Sequence, residues 1–182
     1  MTQGLHRNIL RAITIFIGSY FVVLAIWILL KEPYGIVLLD ITSNLVGILT
    51  HAAYVDVHRE NGMFTVVFGS LKQRERAVAV SIDAFTYNVP VTLAIVAALL
   101  PFIRNKARAI LMSVAFLVSM HAIYALVLEM LSFTIEGHAV IQALNKYLFL
   151  FMHRIMTRCE PFMLGLYLFS IHIYLRPPNK SA

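Results

Sequence analysis

The sequence predicts a mainly α-helical membrane protein, with about four transmembrane helices and a small extracytoplasmic β-meander between the first and second. Three observations carry this. Of the 182 residues 60% are hydrophobic and 13% charged, whereas globular chains carry roughly 25% charged residues. A water-soluble fold of this size has no means of hiding so much apolar surface. The apolar residues gather in long runs with basic residues at their ends. Between the first two runs the pattern changes to the two-residue period of a strand. The length suits one integral membrane domain, 1–182.

The first span is expected over 9–30, with Arg11 its one charge, since about 20 apolar residues cross a bilayer core. Trp27 and Tyr34 mark its far end, where amphipathic rings favour the interface. The basic N-terminus followed by an apolar run resembles a signal peptide. The run is long for one, however, and Lys31-Glu32-Pro33-Tyr34 is a poor cleavage site, so an uncleaved anchor is expected. Residues 36–50 are apolar but interrupted by Asp40, Ser43, Asn44 and Gly47. They predict an interfacial or partly buried helix, with a re-entrant segment as the alternative.

Residues 53–84 predict three strands. Tyr54-Val55-Asp56-Val57-His58 alternates, Asn61-Gly62 is a tight-turn dipeptide, and Met63 to Phe68 is rich in β-branched and aromatic residues. A charged turn, Lys72 to Arg76, leads to a third alternating run. A three-stranded meander is supportable where a lone hairpin is marginal. The second span is expected over 88–103. Asn88 stands ready to cap it, and Pro90 lies in the first turn, where its missing N–H has no partner in any case. The third follows over 109–130. An amphipathic interfacial helix is expected over 139–158, and Pro161 opens a short last span over 161–175.

With four spans, one side of the membrane holds Arg7, Arg11, Arg104, Lys106, Arg108, Arg176 and Lys180 and no acid; the other holds all nine acids. The positive-inside rule counts basic residues in short loops near span ends. It places both termini in the cytoplasm of what is expected to be a bacterial inner membrane, with the β segment outside. The net charge of +6 does not imply nucleic acid, because the basic residues sit at span ends and not on one polar face.

The seven histidines and one cysteine form no zinc pattern, and the sequence implies no metal and no cofactor. His121 lies within the third span. An intramembrane ionisable group is a functional candidate by default, although neutral histidine also serves as a plain interhelical hydrogen-bond donor, which is the simpler reading here. Glu129, near the outer end of that span, is expected to reach the interface or to pair with Arg154 or Arg158. His51 and His58 read as surface residues. Cys159, with His153 or His138 as base, is the one nucleophile arrangement available, but the six-residue spacing to His153 is poor for contact on a helix. Phosphate loops, serine elbows and zinc-protease helices are absent from the sequence.

The segment Ser81-Ile82-Asp83-Ala84-Phe85-Thr86-Tyr87-Asn88-Val89-Pro90, leading into Leu93 to Leu100, together with the surrounding order of span, β segment and two spans, resembles the exosortase H-associated membrane proteins. The resemblance covers residues 12–176 and lies mostly in architecture. It implies a membrane protein working beside a cysteine transpeptidase-like sorting enzyme, and it supplies no catalytic residue. The chain departs from the family in its more basic outward loop and its additional 139–158 helix.

The expected function is therefore a non-catalytic accessory subunit that contacts lipid and a larger membrane protein. Tyr54, Asp56, Phe64, Val66, Phe68 and Tyr87 are the candidate partner-binding residues. An exposed sheet edge accepts a partner strand, and short spans favour association. Two other readings stand beside it: a small enzyme built on Cys159, and a lipid- or ion-handling protein built on His121 and Glu129.

Overall fold

The computed structural model describes residues 2–60, 63–69, 75–133, 139–154 and 158–169. The protein is mainly helical, with a three-stranded antiparallel sheet after the first helix. In order the elements are α1 (Thr2–Thr50), β1 (Tyr54–Glu60), β2 (Met63–Gly69), β3 (Arg76–Val80), α2 (Asp83–Thr86), α3 (Val89–Leu99), α4 (Lys106–Phe133), α5 (Ala139–Arg154) and α6 (Glu160–Phe169). Two helices, His6–Thr50 and Lys106–Leu131, are long and apolar enough to cross a membrane. Residues 89–102 form a shorter apolar helix that ends in a 3-10 turn, Leu100–Phe102.

Residues 9–30 and 36–50, separate elements in the sequence reading, lie on one unbroken helix of 49 residues, about 73 Å at 1.5 Å per residue. Pro33 is inside it. An interior proline removes one backbone hydrogen bond. The helix continues because residues beyond Pro33 have a surface to cover: Leu38, Leu39 and Val46 are buried in a hydrophobic core. The last helix is described only to Phe169, so the expected span end at 175 lies outside the described residues, as does His138.

The fold divides into two compact units. In the one formed by 29–87 and 118–158, the sheet order is β1-β2-β3. Val57 faces Val66, and Val66 faces Val78. This row runs across the inner face together with Phe64, Phe68 and Val80, which join Leu38, Leu39 and Val46 of α1 and Tyr124 and Ala125 of α4 in one core. Two glycines let the chain approach α1 closely. A Cβ at Gly35 would fall inside the Ile82 side chain, and one at Gly47 would lie 2.5 Å from Val55 Cγ2. Exposed ion pairs tie the rim, Lys31–Asp83 at 2.9 Å and Arg59–Glu32 at 2.9 Å; such pairs contribute little, about 0–1 kcal/mol each.

The second unit comprises 1–28, 88–117 and 159–182. Here α3 packs on α6, and Val96, Ile103, Ala109, Leu164 and Leu168 form its core. Asn88 takes the N-cap position of α3 without a side-chain capping bond. The working cap is Asn105, whose Oδ1 accepts the Arg108 N–H at 3.1 Å at the start of α4. No described side chain over 6–28 is buried.

Candidate functional site

The site is built on α1 and α4, starting from two polar contacts, one partly buried and one buried. The Tyr34 hydroxyl lies 2.7 Å from His121 Nδ1. One eight-residue step along both helices, Thr42 donates its hydroxyl to Glu129 Oε1 at 2.9 Å. Eight residues rise about 12 Å, so the contacts form two rungs of a ladder. Because both partners advance together, α1 and α4 run in the same direction here. His121, Thr42 and Glu129 are all buried. Buried polar groups must be hydrogen-bonded to avoid a desolvation cost, and the ladder gives His121 Nδ1 and Glu129 Oε1 one partner each while fixing the register of the two helices.

A third contact adds α5. Tyr124 of α4 lies 3.2 Å through its hydroxyl from His153 Nδ1 and meets the Phe149 ring at 5.7 Å. Tyr124 is nine residues before the end of α4 and Phe149 ten residues after the start of α5, so α5 folds back along α4. Leu144, Tyr147, Leu148 and Phe151 stay exposed on α5.

The ladder and the sheet cover only part of α1. Val37, Ile41, Leu45 and Ile48, at the spacing of one helix face, remain 59%, 63%, 45% and 72% exposed. Asp40 and Asn44 are exposed beside them. This uncovered face is continuous in the sequence with the exposed apolar residues of the N-terminal half, among them Ile17, Phe21 and Leu29.

The candidates from the sequence divide accordingly. His121 makes an interhelical hydrogen bond. Glu129 is fully buried against Thr42, because position 129 falls on the same side of α4 as His121. Phe64, Val66 and Phe68 are core residues and not a partner face, since β2 is the central strand and its even-numbered side chains all point inward. Tyr54, Asp56 and Tyr87 are exposed, with Tyr54 bonded to Glu75. His51 and His58 are exposed as well, and Asp56 lies 3.0 Å from His58 Nδ1. Cys159 is exposed and His153 is engaged with Tyr124. Among the described residues, no group of three or more His, Cys, Asp and Glu is placed to hold a metal ion.

Sequence reasoning missed Thr42, Tyr34 and Tyr124 as partners. The spacing of Tyr34, Leu38 and Thr42 against His121, Ala125 and Glu129 was the available signal, but it has meaning only once the two helices are known to be paired. A second buried carboxyl belongs to Glu160 at the start of α6, and Thr92 of α3 is likewise buried. Comparison with family models, characterised proteins and solved structures finds no match to this chain.

Proposed function

We propose that this protein is a non-catalytic accessory subunit of a bacterial membrane complex, anchored by several crossings with both termini in the cytoplasm and its sheet outside. The uncovered apolar face of α1 is the observation that carries the reading. A large exposed aliphatic side chain forgoes about 1.5–3 kcal/mol that full burial contributes, and contiguous apolar patches mark surfaces that meet lipid or protein. The face lies on a helix already fixed on its other sides by a sheet and by α4, so it is a rigid surface suited to docking.

Two features support the topology. Parallel α1 and α4 need a returning crossing between them, and residues 89–102 are the apolar helix available. Lys106 and Arg108 occupy the first turn of α4, where the helix dipole disfavours cations. Helix stability does not account for them there, whereas a cytoplasmic membrane face does. The resemblance of the 81–90 segment to exosortase H-associated proteins suggests that the larger partner is an exosortase-type sorting enzyme.

The test is purification from the native membrane in mild detergent, followed by mass spectrometry of what travels with the protein. A larger membrane protein in fixed stoichiometry is the expected result. A monodisperse protein that emerges alone overturns the reading.

The buried ladder favours a second reading, in which His121 and Glu129 line a path for an ion or a lipid headgroup. In that case His121→Ala abolishes transport in reconstituted vesicles while the protein stays folded. Unchanged or undetectable transport by both proteins removes it.

A further inference from the structure

We propose that the face of α1 formed by Val37, Asp40, Ile41, Asn44, Leu45 and Ile48 receives one apolar helix from a different protein, and that this helix presents an arginine or lysine to the Asp40 carboxylate. This rests on the accessory-subunit reading and names the surface and chemistry through which it operates. The face mixes two demands that neither hydrocarbon nor bulk water satisfies together. In lipid the four aliphatic side chains are at home, but Asp40 is not, since an ionised side chain facing hydrocarbon is costly. In water Asp40 and Asn44 are at home, but the four aliphatic side chains are exposed as one strip. A protein surface that is apolar and carries one cation satisfies both.

The local bonding leaves Asp40 available. The Asn44 amide donates to the Asp40 backbone carbonyl at 2.7 Å and to Oδ1 at 3.2 Å. This holds the carboxylate against its own helix and leaves Oδ2 for an external donor. Among the described residues no cation forms an ion pair with Asp40. A second copy of this chain is a poor occupant. The strip carries Asp40 and no basic residue, so self-association through it in parallel register sets like charges against each other. Arginine and lysine on the incoming helix differ in kind, and a planar guanidinium bonding both Asp40 and Asn44 is the better match.

The experiment places p-benzoylphenylalanine at Ile41, at Ile48 and, as a control on the outer face of the sheet, at Ala79 of the full chain in its native membrane. After irradiation the adducts are sequenced. Positions 41 and 48 are expected to capture an apolar segment of a different protein that contains an arginine or lysine, and position 79 is not. Asp40→Arg should abolish the adduct, and exchanging the captured cation for aspartate should restore it. Asp40→Asn, which keeps the helix packing and the Asn44 contacts, should lower the yield by about thirtyfold or more, as truncating one partner of a buried charge pair does. Adducts with lipid alone or with a second copy of this chain overturn the proposal, as does a yield indifferent to Asp40→Asn. A complex that co-purifies intact but gives no protein adduct at 41 or 48 removes this inference and leaves the accessory reading standing. A protein that purifies alone removes both.

Discussion

Thr42 donates its hydroxyl to Glu129 Oε1 at 2.9 Å in a place where neither side chain reaches solvent. The consequence is asymmetric. Removing the donor leaves a buried carboxyl with one fewer bond, which costs about 1–3 kcal/mol. Thr42→Val keeps the volume and removes the hydroxyl, and with it the bond to Glu129 and a longer contact at 3.3 Å to the Leu39 carbonyl. Thermal unfolding in detergent micelles, followed by circular dichroism, should show Thr42→Val less stable by that amount and Glu129→Gln less affected. The double variant should lose less than the sum of the two. A Thr42→Val protein that melts with wild type would show that the rung does not hold α1 to α4.

At Gly35 the segment that follows the sheet packs closely on α1. A methyl group there has to displace Ile82, which is itself buried. Overpacking of this kind costs about 1–3 kcal/mol, and helix propensity returns only about 1 kcal/mol to alanine over glycine. Gly35→Ala is therefore expected to be destabilising, against the usual direction for a helical glycine. Ile82→Val in the same chain should recover part of the loss. If Gly35→Ala is more stable than wild type, the close packing of Ile82 on α1 is wrong.

His51 ends α1 with φ of 54°. The Ala52 N–H bonds the Gly47 carbonyl at 2.9 Å and the His51 N–H approaches the Ile48 carbonyl at 3.4 Å. This is the paired arrangement in which the residue after the helix adopts the left-handed conformation. Glycine occupies that conformation without the Cβ penalty of about 1–2 kcal/mol, and the native histidine is exposed. His51→Gly is expected to stabilise the protein by about 1 kcal/mol. His51→Val, which is β-branched at a positive φ, should destabilise it. The same melting experiment reads both, and an equal response to glycine and valine would refute the capping geometry.

Much of the architecture was legible from local pattern. The two-residue alternation over 54–58 and 77–83, with Asn61-Gly62 between the first pair of strands, located the sheet. Mean apolar character located α1 and α4. What was not legible depended on tertiary contact. Asp40, Ser43, Asn44 and Gly47 read as the interruption of a spanning run, and only the core contributed by Leu38, Leu39 and Val46 shows that 36–50 continues the first helix. Phe64, Val66 and Phe68 read as a sticky strand, and only the central place of β2 turns them inward. Glu129 reads as an interfacial group, and only the pairing of α1 with α4 supplies Thr42. The Asp40 face was visible as an interruption of an apolar run, but its exposure emerged only once the other sides of α1 had been covered.

The Tyr54–Glu75 pair offers a pH test on the sheet, away from the helices. The Tyr54 hydroxyl donates to Glu75 Oε1. Ionising the phenol removes that donor and sets a phenolate beside the Glu75 carboxylate, with Asp56 adding a weaker repulsion. The phenol is held above the usual tyrosine value of about 10 for this reason first. A group whose folded value is raised contributes stability that is complete below its unfolded value and lost as pH climbs through the folded one. The contribution is therefore constant through neutral pH and disappears only in alkali. Subtracting the phenolate absorbance titration of Tyr54→Phe from that of wild type should give a single transition displaced to the alkaline side of free tyrosine. In Glu75→Gln, where an amide oxygen accepts the bond without a charge, the transition should move back toward the ordinary value. A difference curve at the free-tyrosine position, unmoved by Glu75→Gln, would show that the hydrogen bond from β1 to the residue preceding β3 is not made in solution.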